Sequence, residues 1–337
     1  MSQDFQKGVC AHPNCLFSKD PVEGPEQVEE VMERLDQAKI DFVQMLVKGT
    51  RSDAYYSTSL IPMQVYERWD PFQETIEQAH KRGIEVHAFI CPFPEGGDEI
   101  GPTLQQHPDW AMVSNKGKRI GWACPSRPEV KERALEIISE LLENYDLDVI
   151  HLDYIRTPDF VSGEWISACY CDYCRSQFKQ EYGTDPMDLG ERGELVQKWD
   201  NWRREQISDF VRLVHERVRE AGKKLIAYCW DLSSPYTVFQ DWPGWVRRGY
   251  VDFINPTGYV YTPGEFRKLC QQARVVVNHR VPTYISIGVE TSHGRLHSAQ
   301  EVIGQINIAK ETGLEGVIFF HLKAALPFLP EIARSAF

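Results

Sequence analysis

No stretch of the 337-residue chain is apolar over the length a bilayer demands, and the opening MSQDFQKGVCAHPN lacks a basic start followed by an apolar core. The sequence therefore predicts neither a membrane-spanning helix nor a secretory leader, and the expectation is a cytoplasmic protein. Basic charge is scarce as well. Lys and Arg total 37 against 49 Asp and Glu, a net charge of −12. Such a chain repels phosphate backbones, and no basic run or RNA-binding signature offsets this, so nucleic acid is not an expected partner. A disulfide framework is also missing: nine cysteines, an odd number in a large chain, read as reduced thiols. Internal repeats, low-complexity linkers and a domain boundary are absent, so residues 1–337 are read as one domain.

What the chain does have is alternation. Strand-like runs rich in β-branched and aromatic residues recur at 7–12, 40–48, 84–90, 148–153, 224–230, 251–255, 282–288 and 315–321. Helix-like stretches separate them. PEQVEEVMERLDQAK begins on Pro25, a good first helical residue, and PFQETIEQAHKRG closes on a basic last turn and Gly83. RPEVKERALEIISELLENY and NWRREQISDFVRLVHERVREAG carry apolar residues at helical spacing, and weaker helical patterns follow near 241–249, 263–276, 298–313 and 324–335. Eight strand–helix units predict an α/β fold, a parallel (β/α)8 TIM barrel with extended loops after strands 3 and 4. A doubly wound sheet would want a glycine-rich turn after the first strand, where CAHPNCLFSKDP stands instead.

Polar groups gather at the predicted strand ends. In DLDVIHLDYIRTP (146–158), Val149, His151 and Asp153 share one strand face and Ile150 and Leu152 the other. Asp153 is the last residue of its strand, at the rim where barrel enzymes place their chemistry. The plainer alternative is a structural ion pair between Asp153 and Arg156. His12 and Asn14 follow strand one, His87 lies in strand three, Asp231 ends strand five, and Asn255 and Tyr259 follow strand six. Glu290 follows strand seven, and His321 and Lys323 end strand eight. Aromatic residues crowd the same loops: Tyr55, Tyr56, Trp110, Trp165, Trp230, Trp242, Tyr259 and Tyr261. Flat rings with polar edges are surfaces on which sugar rings stack, although part of such a set serves loop packing.

The stretches AYYSTSLIP, DPFQETIEQAHKRGIEVHAF, CPSRPEVKERALEII, DLDVIHLDYIRTP, QDWPGWVRRGYVDFINPTGY and GQINIAKETGLEGVIFF run in order from about residue 40 to 325. Together they resemble bacterial TIM-barrel glycoside hydrolases of the glycosyl-hydrolase-like 10 type. CYCDYCRSQFKQEYGTDP resembles an insertion in related hypothetical glycosidase families. The resemblance implies a (β/α)8 barrel that cleaves a glycosidic bond in an oligosaccharide or glycoconjugate, with a carbohydrate as partner and no cofactor in the chemistry. Glycosidases use two carboxyl groups, one protonating the leaving oxygen and one attacking carbon or activating water. By similarity to barrel glycosidases of the α-amylase group, Asp153 is the expected nucleophile, or the base of an inverting enzyme. Asp231 is the expected acid/base, and Glu290 is second for that role. Arg156, His151 and His87 would orient carboxylates or bind hydroxyls, and His12, Trp230, Tyr259 and His321 complete the expected sugar site. The plainer readings are a turn cap for Asp231 in DLSS and a rim ion pair of Glu290 with Arg295.

Cys169, Cys171 and Cys174 form C-x-C-x-x-C in the loop after strand four, a spacing that can grip zinc in a structural site. No fourth ligand is adjacent, and His12, Cys10 and Cys15 are the candidates through space. The alternative is a loop of reduced, packed thiols. Two rival functions also remain at this level. One is a sugar-binding barrel without catalysis. The other is a metal-dependent hydrolase built on His12, His87, His151 and His321, though strand one lacks the H-x-H such barrels usually carry.

Overall fold

The computed structural model describes residues 5–335. Eight parallel strands form its centre: β1 (Gln6–Ala11), β2 (Phe42–Lys48), β3 (Glu85–Ile90), β4 (Val149–Leu152), β5 (Lys224–Cys229), β6 (Phe253–Pro256), β7 (Tyr284–Gly288) and β8 (Gly316–Phe320). Each pairs with its sequence neighbours except across β6 and β7, and β1 pairs with β8. The β6–β7 seam is thin. Its backbone pairing is one bridge between Ile254 and Thr283 with the hydrogen bond from Ile254 N to Pro282 O at 3.1 Å, and Asn255 Nδ2 spans it by donating to Tyr284 O at 2.6 Å and Ser286 Oγ at 3.0 Å. The result is a nearly closed (β/α)8 barrel, as the alternation predicts.

Eight helices lie outside: α1 (Glu23–Gln37), α2 (Pro71–His80), α3 (Pro128–Asn144), α4 (Glu194–Glu220), α5 (Trp242–Arg248), α6 (Pro263–Val277), α7 (Ala299–Glu311) and α8 (Leu329–Ser335). Their starts follow from local chemistry. Asp70 caps α2 by accepting from Phe72 N and Gln73 N, with Pro71 at the first helical position. In α3 the apolar stripe Val130, Ala134, Ile137, Ile138 and Leu141 is buried. Each buried Val, Ile or Leu of that stripe contributes about 1.5–3 kcal/mol, which holds the helix on the sheet. The weak helical pattern at 324–335 is broken in the structure into Leu322–Ala325 and α8.

Side-chain alternation divides the core in two. One face of the strands meets the helices, and the other fills the barrel with Cys10, Phe42, Leu46, Phe89, Val149, Ile226, Tyr284 and Ile318. Space inside is tight enough to demand glycine at position 8, where a Cβ would overlap the Phe42 ring. The segment after β3 folds into a three-stranded antiparallel sheet of Pro94–Gly97, Ala111–Val113 and Arg119–Ala123. The segment after β4 holds a hairpin, Phe160–Val161 with Glu164–Trp165, and a helix over Asp172–Tyr182. A buried ion pair ties this side together. Lys48 Nζ lies 3.2 Å from Glu95 and donates to Cys91 O at 2.8 Å and Pro94 O at 3.1 Å.

Candidate active site

The C-terminal ends of the strands open into a cavity of ≈ 930 Å³. Asp153 stands on its floor. Its backbone still follows the ladder, with Asp153 N donating to Ile90 O at 2.8 Å, so its side chain continues the inward face of Val149 and His151. One flank meets the cavity and the rest is packed deep among protein atoms, which makes the residue half-buried. Burial drives its carboxyl up to about 7, against smaller opposing effects from Tyr154 N, which donates to Oδ1 at 2.6 Å, and from the charge of Arg156. Burial above all, with a smaller contribution from the charge of Asp153, holds the hydroxyls of Tyr228 and Tyr259 and the thiols of Cys10 and Cys91 in their protonated forms.

Arg156 is buried and forms no ion pair with Asp153 among the described residues. Its guanidinium lies over three rings instead: Trp230 at 4.0 Å, Tyr154 at 5.0 Å and Trp122 at 5.4 Å from the centroids. It also donates to Thr157 O at 3.0 Å. The structural ion pair offered as the plainer reading is thus corrected: a cationic head stacked among indoles binds two strand ends together. Two bulky residues of the cavity lining hold left-handed backbone, Tyr154 at φ 51° and Tyr259 at φ 43°. Conformations of this kind cost on the order of 1–3 kcal/mol and persist where surrounding contacts impose them, often at functional sites. The Tyr228 and Tyr259 hydroxyls hydrogen-bond to each other across the cavity floor.

The other expected residues fall into three positions. His12, Asp231, Trp230 and Tyr259 line the cavity with Asp153 and Arg156. Asp231 is exposed, and its Oδ1 accepts from Ser233 N at 2.9 Å and Ser233 Oγ at 2.6 Å, so it caps the DLSS turn while facing the cavity. His87 and His151 lie one layer deeper inside the barrel and do not reach the cavity surface. His87 stacks on Phe42 at 4.4 Å, and His151 sits against the edge of Phe89 at 5.3 Å. Burial lowers the pKa of both and keeps them neutral. His321 stacks on His12 at 6.3 Å from just outside the lining. Glu290 is exposed on a small hairpin opposite Arg295 and is not part of the lining.

Of the loop aromatics, Tyr55, Trp165, Trp230 and Tyr259 line the cavity. Tyr56 and Trp242 are buried, Tyr56 donating to Glu140; Trp110 stacks on His107, and Tyr261 donates to Gly294 O. Trp165 is 73% exposed at the rim and meets Phe160, 51% exposed, edge to face at 5.2 Å. Sequence reading missed Tyr228, Tyr154, Asp53 and Asp159, all in the lining. The alternation of KLIAYCW would have found Tyr228, which shares its face with Ile226 and Trp230. Asp53 opens a two-residue strand after β2 and Asp159 lies in the loop after β4, segments too short or irregular to carry a period.

The only group of three or more metal-binding side chains among the described residues is Cys124, Cys169, Cys171 and Cys174. The four histidines of the metal-hydrolase reading form no such group, since two are sealed inside the barrel. The fourth member of the cysteine set is Cys124, not Cys10, Cys15 or His12.

Comparison with known proteins agrees with this architecture. The model of the family described as glycosyl hydrolase-like 10 matches residues 14–300. Glycosyl hydrolase YngK of Bacillus subtilis is 26% identical over 281 residues, covering 72% of this chain and 51% of its own length. Glycosyl hydrolase DigH of Escherichia coli K12 is 32% identical over 108 residues, covering 27% of this chain and 24% of its own. The chain spans about half the length of YngK. Among solved structures, the PgaB (BpsB) glycoside hydrolase domain of Bordetella bronchiseptica superposes with a TM-score of 0.76 at 15% identity, covering 96% of this chain and 99% of that domain. α-L-Fucosidase isoenzyme 2 of Paenibacillus thiaminolyticus gives 0.69 at 15% identity, covering 99% of this chain and 49% of the other. At such identities the structural likeness establishes the barrel.

Proposed function

The chain belongs to the glycosyl hydrolase-like 10 family, and from that premise we propose that it hydrolyses a glycosidic bond in an oligosaccharide or glycoconjugate, with Asp153 as the proton-transferring carboxyl. The observation that carries this reading is Asp153 itself: an acid whose pKa burial raises to about 7, on the floor of an open cavity walled by aromatic rings. A general acid works best when its pKa lies near the working pH, and a carboxyl held protonated can donate to the leaving oxygen. This favours proton transfer over the nucleophilic role that the resemblance to barrel glycosidases of the α-amylase group implies.

Asp231 is the preferred second carboxylate. It is solvated and hydrogen-bonded by Ser233, in contrast to the apolar setting of Asp153. Two carboxyls in opposite environments are the pattern by which one serves as acid and the other stabilises charge or activates water. Tyr259 and Trp230 would contact the sugar near the bond, and Trp165 would stack on a unit further out.

The test is a screen of aryl glycosides and oligosaccharides, followed by Asp153→Asn on whatever is turned over. Turnover should fall by about 100-fold or more while binding persists. A variant with unchanged kcat, or a wild-type protein that binds sugars and cleaves none, sinks the proposal.

A further inference from the structure

The second built site lies away from the cavity. Cys124 directly follows the last strand of the three-stranded sheet after β3, Cys169 and Cys171 lie in the segment after β4, and Cys174 is in the first turn of the helix Asp172–Tyr182. All four are buried, and none lines the cavity. Their Sγ atoms fall within 4.8 Å of one another. Cys124 and Cys174 are 3.4 Å apart, Cys171 and Cys174 3.6 Å, and Cys171 and Cys124 3.8 Å. Disulfides need about 2.05 Å. Four sulfurs around one zinc at about 2.3 Å stand about 3.8 Å apart along the edges of the tetrahedron. The spacing matches the second arrangement.

The surroundings point the same way. Cys169 Sγ accepts hydrogen bonds from the backbone N–H groups of Val113 and Cys171, each at 3.4 Å. Backbone N–H groups aimed at a sulfur favour its thiolate form and are the usual outer support of a metal-bound cysteine. We infer that Cys124, Cys169, Cys171 and Cys174 bind one zinc ion in a closed, four-thiolate structural site. Three close cysteines on one segment and a fourth from 45 residues upstream make the ion a clamp between the two longest excursions from the barrel. That clamp bears on the cavity wall. Trp122, two residues before Cys124, packs on Tyr154 at 5.5 Å and under the Arg156 guanidinium. With four protein ligands and no open position, the ion holds structure and takes no part in bond cleavage.

Metal analysis of the purified full-length protein tests this independently of any sugar chemistry. One zinc per chain is expected, with X-ray absorption showing four sulfur neighbours at about 2.3 Å. Chelation or a mercurial should release the zinc and lower the melting temperature. Cys171→Ser should lose the zinc, whereas Cys270→Ser, altering a buried cysteine outside the group, should keep it. Free thiols without metal in the wild type, disulfides among the four in peptide mapping, or iron in place of zinc would each overturn the assignment. Because the stoichiometry is read on the wild type, a variant that fails to fold does not blunt the test.

Discussion

Arg156 holds its guanidinium 4.0 Å from the ring centre of Trp230. The contact joins the segment after β4 to the end of β5 and leaves Asp153 with only a long-range influence from the one buried cation beside it. Removing the cation while keeping an apolar stem should let the Asp153 pKa rise further. In Arg156→Met, the alkaline limb of kcat/KM, where an acid loses its proton, should move to higher pH. Arg156→Lys should not restore the wild-type profile, since an ammonium lacks the flat face that stacks. A pH profile that does not move would show that Arg156 has no electrostatic hold on Asp153.

Asp153 also carries a stability cost with a defined sign. Its folded pKa, about 7, lies above the ordinary carboxyl value of 3.8. Between those values the folded chain binds more protons than the unfolded chain, so this group's contribution falls as pH rises from about 4 to 7 and levels off above. Asp153→Asn should therefore raise the melting temperature at pH 8 and give little gain near pH 4. Each displaced unit is worth about 1.4 kcal/mol, so the gain is at most about 4 kcal/mol, less what solvent on its open side screens. Equal or lower stability at pH 8 would contradict the burial argument.

The interior histidines act in the opposite sense. His151 and His87 are held neutral by burial, with folded pKa values below the ordinary 6.5. Their contribution is present above the unfolded pKa and is lost as pH falls below it. Urea midpoints should drop between about pH 7 and pH 5, and His151→Leu should make that drop smaller. A drop of undiminished size would assign the acid sensitivity to other groups.

Trp165 contacts Phe160 and otherwise faces solvent. If it is a platform for an outer sugar unit, Trp165→Ala should raise KM for long oligosaccharides several-fold. It should leave kcat and the KM of a single-sugar aryl glycoside nearly unchanged. A uniform loss on all substrates would mark it as structural.

Lys48 and Glu95 are 1% and 3% exposed and paired at 3.2 Å. Lys48→Met strands a buried carboxylate and should cost about 3–5 kcal/mol in chemical denaturation. Adding Glu95→Gln should recover part of that loss, because the pair is coupled. Two costs that simply add would show that the groups do not depend on each other.

The barrel was legible because its cause is periodic. Each strand announces itself by a short β-branched run, each helix by apolar residues three and four apart, and period two places Val149, His151 and Asp153 on one face without coordinates. The same rule carried His87 and His151 into the expected sugar site, because alternation tells which face a residue takes and not how deep it sits. Depth separates a sealed histidine from a cavity-lining aspartate two residues on. Cys169, Cys171 and Cys174 were visible as a spacing. Cys124 was not, since the distance that brings it to them runs through folded space between two excursions.

What the chain order alone determined is the eightfold alternation and the acid at the fourth strand end, both consequences of local periodicity and of what a strand face can bury. Tertiary structure alone decided the stacking of Arg156 on Trp230, the separation of Glu290 from the cavity, and the convergence of four thiols. These depend on how irregular loops pack, and their contacts are long-range, so no nearby pattern of residues encodes them.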